Sequence, residues 1–134
     1  MEKVQILESV ETNCAKMTLR SDGIIRTEIV DNYDLEIDDA RKLMDGYLKL
    51  GKGRKTPHLI VFKHMSMADR AVMKFMAEEA NNFGKADAIV IDSKAQKILA
   101  DFYILVQRPK VPTRFFTLEE EAIEWLHSQA ESPE

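Results

Sequence analysis

Apolar and polar residues change their spacing along the chain in ways that mark out elements. Between residues 14 and 30 they alternate: Ala15, Met17 and Leu19 are separated by Lys16, Thr18 and Arg20, and Ile25, Thr27 and Ile29 by Arg26 and Glu28. A period of two belongs to half-buried strands. Ser21-Asp22-Gly23 between the two runs suits the positive φ values of a tight turn, so the segment predicts an antiparallel hairpin. Residues 4–10 have a mixed pattern, compatible with a further strand on that edge.

From Ile37 the period lengthens. Ala40, Leu43, Met44, Tyr47, Leu48 and Leu50 recur at three- and four-residue spacing, which predicts a helix ended by Gly51 and Gly53. After Pro57 comes Leu59-Ile60-Val61-Phe62, continuously apolar, as in a parallel strand covered on both faces. A second helix is expected over 67–82, with Ala68, Val72, Phe75, Met76 and Phe83 on one stripe. Ala88-Ile89-Val90-Ile91 is the next strand, followed by a helix with Ala95, Ile98, Leu99, Phe102 and Val106 inward and Pro109 at its end. Arg114-Phe115-Phe116 reads as an edge strand, and Leu118, Ala122, Ile123, Trp125 and Leu126 as the last helix. Ser66 with Asp69, Ser93 with Gln96, and Thr117 with Glu120 are capping-box pairs at three strand-to-helix junctions. The expected architecture is one α/β domain over residues 1–134, with 128–134 a polar tail. An N-terminal β-hairpin leads into strand–helix units that wind as a right-handed βα superhelix. The sheet is expected to have five strands, mostly parallel, with the first antiparallel.

The fourth of these units, Pro112-Thr113-Arg114-Phe115-Phe116-Thr117-Leu118-Glu119-Glu120-Glu121-Ala122-Ile123-Glu124-Trp125-Leu126, resembles the closing strand and helix of the small bacterial SpoIIAA-like proteins, of the STAS and CRAL-TRIO type fold. The hairpin of residues 19–29, Met65-Ser66-Met67-Ala68-Asp69-Arg70 and Ala86-Asp87-Ala88-Ile89-Val90-Ile91-Asp92-Ser93 extend the resemblance to about residues 15–127. It implies the same strand–helix superhelix. Most of this subgroup is uncharacterised; the named relatives are anti-sigma-factor antagonists and lipid-carrier domains. The antagonists carry a phosphorylatable serine in an Asp-Ser-Ser/Thr-Gly setting. Ser66 is the match here, without the acidic residue or the glycine.

Composition narrows the function classes. With 45% apolar and 31% charged residues the chain can build a core, which argues against disorder. The balance of 19 Lys+Arg against 23 Asp+Glu, net −4, lacks the basic excess of a nucleic-acid binder. Apolar runs such as 59–62 and 102–106 fall far short of the roughly 18 to 20 residues that span a bilayer, so no membrane partner is expected. No Lys/Arg-led apolar leader follows Met1, and Cys14 is the single cysteine. A reducing, cytoplasmic setting is expected.

In an open parallel sheet, ligands collect beyond the carboxyl ends of the strands, beside helix N-termini. That edge should hold Asp31, Asn32, Lys63, His64, Ser66, Asp92, Ser93 and Thr117, with His64, Ser66, Asp92 and Ser93 the core of a candidate ligand or phosphorylation edge. The ordinary alternative is that the hydroxyls merely cap. His64, Ser66 and Asp69 have the residue types of a catalytic set, but no nucleophile-elbow glycines flank Ser66, and no enzyme is expected. His58, His64 and His127 are scattered, so neither a metal nor a cofactor is expected. Gly51-Lys52-Gly53-Arg54-Lys55-Thr56 has phosphate-loop composition in the wrong context, after a helix and before a strand. Glu79 falls in the apolar stripe of the second helix, where it needs a partner or must reach water. On the third helix Ile104 lies opposite the expected core face; with Tyr103 it is the candidate homodimer interface. The leading expectation is a non-enzymatic module that binds a protein, itself or a regulatory partner. The rival is a small-molecule or lipid-binding module of CRAL-TRIO type.

Overall fold

The computed structural model describes residues 3–130. β1 (Ile6–Glu11), β2 (Ala15–Arg20) and β3 (Ile25–Ile29) pair antiparallel, and β5 (Thr56–Val61), β7 (Gly84–Val90) and β8 (Thr113–Phe116) continue the same sheet in parallel. The order is β1-β2-β3-β5-β7-β8, and the connections run through α1 (Ile37–Gly51), α2 (Arg70–Phe83) and α3 (Lys94–Phe102) before α4 (Glu119–Ala130) closes the chain. Two short segments, β4 (Asp34–Leu35) and β6 (Met67–Ala68), pair separately. Of the polar tail expected over 128–134, residues 128–130 complete α4, and the rest lies outside the described residues.

Side chains alternate across each strand, so the two sheet faces carry different cores. On one, Met17, Ile25, Ile29, Ile60 and Ile89 meet Leu43 and Leu50 of α1, Val72 of α2 and Ala100 of α3. On the other, Ile24, Leu59, Val61, Ala88 and Val90 meet Ala122 and Leu126 of α4. β5 and β7 are buried on both sides, which is why their sequences run apolar without a break. Two glycines are used for their missing side chain. Gly23 takes φ +89° in the hairpin turn, and at Gly46 a Cβ would run into the thioether of Met17, so α1 lies directly on β2.

Four expectations are corrected. The sheet has six strands because residues 6–11 do form one; β1 is exposed except at Val10, with Ile6 64% and Leu7 60% accessible, and burial imposes no alternation on it. The second helix starts at Arg70, not 67. Asp69 is its cap, accepting the Val72 N–H at 2.9 Å, while the Ser66 hydroxyl donates to the Lys63 carbonyl at 2.9 Å and Ser66 has no exposed surface. The last helix starts at Glu119, where the first bond runs from Ala122 N–H to Leu118 O, so Thr117 stands one residue outside the cap position. On α3 the inward face is Gln96, Leu99, Ala100 and Tyr103, and Ile98 and Val106 are exposed. A π-helical turn over Tyr103–Gln107 follows α3, closed by Arg108 N–H on Tyr103 O at 3.1 Å, and it breaks the regular period.

Candidate functional site

The strand-end edge assembles as the topology requires. His64 Nδ1 lies 3.4 Å from Asp92 O, and Asp31 Oδ1 accepts the Met65 N–H at 3.1 Å. Ser93 caps α3, its hydroxyl accepting Gln96 N–H at 3.1 Å. The organiser is the Gln96 side chain. Its amide donates to Lys63 O at 2.5 Å and Ser66 O at 2.8 Å, and its carbonyl accepts Asp92 N–H at 2.6 Å. Two carbonyls of the loop after β5 and the N–H that follows β7 are thereby tied to one side chain. His64, Ser66 and Asp69 lie close in sequence but bond to three different backbone groups, and none of the three bonds to another. Glu79 accepts from Asn82 Nδ2 at 2.8 Å and is half-buried at the α2 surface.

Behind that loop lies a cavity of about 80 Å³ between the sheet and α1, α2 and α3. Its walls are almost wholly apolar, with Ile60, Ile89, Val72, Met73, Met76 and Leu99 among them. Asp87 and Tyr103 also line it. In β7, Asp87 falls on the same side as Ile89, two residues on, and directly opposite His58 of β5 in the parallel register. The two side chains are 8% and 4% accessible. His58 Nδ1 stands 3.4 Å from Asp87 Oδ1, yet it is not aimed along a hydrogen bond, and Oδ1 has no hydrogen-bond partner. The imidazole is held by Thr56 Oγ1, 3.0 Å from Nε2, and by stacking on Tyr47, whose hydroxyl lies 3.3 Å from that of Thr27.

Burial pushes the Tyr47 and Tyr103 hydroxyls well above the ordinary tyrosine range, and the negative charge of Asp87 adds to both shifts. Both phenols therefore stay neutral near pH 7. The arrangement can accept a hydrogen bond at Asp87 and enclose a small apolar body beside it.

Sequence reasoning had not singled out this buried group. The signal was present: His58 and Asp87 each interrupt an apolar strand, and the two interruptions fall opposite each other in the sheet. Of the two interface candidates, Ile104 is 38% exposed, whereas Tyr103 points inward at 6% and packs edge-on to Phe115. Its ring is core because the inward face of α3 is rotated from the expected one. Among the described residues no group of three or more His, Cys, Asp or Glu is placed to hold a metal, and no helix is long and apolar enough to cross a membrane.

A crystal structure of an uncharacterised DUF3478-family protein from Shewanella loihica PV-4, with a SpoIIAA-like fold, superposes with a TM-score of 0.53 at 14% identity, covering 92% of this chain and 93% of that one. The likeness is one of fold, and the fold is SpoIIAA-like. No curated protein matches the chain. Residues 17–130 match the domain of unknown function DUF7793, and the chain belongs to that family.

Proposed function

We propose that the chain is a non-enzymatic interaction module that associates with a second copy of itself through the outer side of α3 and the π turn. The observation that carries this reading is the exposure of Ile98, Leu105 and Val106, at 70%, 71% and 58%, on an element whose other side is core. Single exposed apolar residues are ordinary, but several on one short element make a patch of the kind that proteins cover by association. Ile104 adds to it, and the Lys97–Asp101 ion pair, 2.6 Å, supplies a charged rim. π turns also concentrate at functional positions.

Further observations support this reading over its rivals. His64, Ser66 and Asp69 are each engaged elsewhere, which leaves a hydrolytic set without its internal bonds. A cavity of about 80 Å³ is far below the roughly 300 to 1,000 Å³ of sites for drug-sized ligands, so a lipid chain has no room. Ser66 is fully buried, so regulation would act through association rather than through a phosphate at this serine. The free, buried Cys14 supports a reducing cytoplasm, and the net charge of −4 supports a protein partner over nucleic acid.

Sedimentation velocity over a wide concentration range tests the proposal. A dimer is expected for the native sequence, and Leu105→Glu should return it to a monomer with unchanged circular dichroism. A monomer at every concentration overturns the proposal, as does a dimer that survives the Ile98→Glu/Leu105→Glu double change.

A further inference from the structure

The outer side of α3 leaves the cavity on its inner side unexplained. A buried carboxylate oxygen without a donor is costly and rare in native structures, and Asp87 Oδ1 is one. No neighbour is placed to relieve it. His58 stands at 3.4 Å off the bonding direction, and its ring is pinned between Thr56 and Tyr47. Gly84 brings no side chain, and a Cβ there would crowd Asp87 Oδ1 at 3.1 Å and His58 Nδ1 at 3.2 Å. Gln96 and Ser66 line the same cavity, but both Gln96 groups and the Ser66 hydroxyl are already bonded to the loop after β5.

We propose that this cavity binds a compact, otherwise apolar molecule carrying one hydrogen-bond donor, an N–H or O–H that Asp87 Oδ1 accepts. A buried water usually makes two to four hydrogen bonds. With Gln96 and Ser66 engaged, Asp87 Oδ1 and the Tyr103 hydroxyl are the side-chain polar groups left to the cavity, the bare minimum for a buried water, which favours an apolar body with a single donor. Size sets the scale. The cavity of about 80 Å³ is roughly half the engineered apolar cavity of about 150 Å³ that takes benzene. Met67, Met73 and Met76 line it, and the thioether side chain adapts to the shape of what it encloses. The occupant is thus a molecule of few heavy atoms, a short alcohol or, once the flexible methionine side chains give way, at most a five-membered heterocycle. The site lies opposite the association surface, so either can fail without the other.

Pyrrole and furan give the test, because the two rings share a shape and only pyrrole has a donor. Each is titrated into the isotope-labelled full chain while the amide resonances of Ile89, Ala100 and Tyr103 are followed. Saturable shifts with pyrrole are expected, with binding at least about tenfold tighter than furan. Asp87→Leu, similar in size and without the acceptor, should bring pyrrole to the furan level. Ala100→Leu, which fills the cavity, should abolish both. Equal affinities for the two rings overturn the proposal. So does the absence of a saturable shift from either at millimolar concentration, or a soaked crystal in which a water remains on Oδ1.

Discussion

The imidazole of His58 lies flat on the ring of Tyr47, with 3.8 Å between centroids and planes 10° from parallel. This contact ties β5 to α1 and leaves the ring's Nδ1 3.4 Å from Asp87 Oδ1. His58→Ala removes a packed ring from a site 3% accessible and takes away the imidazole beside Asp87 Oδ1, so a loss of about 3 kcal/mol is expected in urea unfolding. His58→Phe keeps the stack and should recover more than half of that loss. If Phe is as damaging as Ala, the ring nitrogens and not the stacked surface hold the site together.

Gln96 should behave as a structural keystone despite sitting on a helix whose outer face is solvent. Three backbone groups, Lys63 O, Ser66 O and Asp92 N–H, depend on its amide. Each buried group left unpaired costs about 1 to 3 kcal/mol, and the losses do not simply add, so Gln96→Ala should cost about 3 kcal/mol. Gln96→Glu is the sharper probe. An ionised carboxylate cannot donate to two carbonyls, so near pH 7 Glu should be at least as damaging as Ala in thermal unfolding; a Glu variant of native stability would refute the donor role.

At the start of α2 the cap has moved from Ser66 to Asp69, and the two residues should respond oppositely to aspartate chemistry. Asp69→Ala loses the cap on Val72 N–H and should cost about 1 kcal/mol. Ser66→Asp places a carboxylate where no surface is exposed and should cost several times more than Ser66→Ala. Comparable stabilities for Ser66→Asp and Ser66→Ala in chemical denaturation would return Ser66 to an exposed cap.

How far the sequence discloses this structure depends on what each element is buried against. The hairpin, α1 and the strands at Leu59 and Ile89 are legible because one-sided or two-sided burial imposes a clean period on them. β1 is not, since only Val10 of its residues packs on the core and a single position carries no period. The inward face of α3 is lost in the run Phe102-Tyr103-Ile104-Leu105-Val106, where every position is apolar and periodicity carries no phase. The meeting of His64, Ser66, Asp92 and Ser93 was readable, being a consequence of topology. Their satisfaction by Gln96, some thirty residues from Lys63, was not, because local patterns carry no long-range hydrogen bonds. For the same reason a polar residue within an apolar strand, such as His58 or Asp87, reads as a blemish until the register sets the two side by side.

Arg26 on β3 grips Glu119 in the first turn of α4 with two bonds, Nε to Oε2 and Nη2 to Oε1, both 2.9 Å. These bonds hold the Glu119 carboxyl below its ordinary value of 4.5, against the opposing effect of partial burial. A carboxylate whose pKa is depressed on folding contributes stability that is fully present above its unfolded value and is lost as pH falls through the folded one. Stability should therefore hold from pH 7 down to about 5 as far as this group is concerned, then decline below 4.5. Asp22 follows the same course. Burial raises it, but the bonds from Arg20, His127 and the Ile24 N–H outweigh burial and leave it below 3.8. Glu119→Gln isolates the first contribution. With side chains 27% and 34% accessible, solvent screens the pair, and the variant should lose about 1 kcal/mol at pH 7. Below pH 3 the gap should close, because protonated Glu119 can no longer attract Arg26. Stability curves for the two proteins that coincide at pH 7 would show that the Arg26–Glu119 contact adds nothing, and a gap that stays constant down to pH 3 would show that the Glu119 charge is not its source.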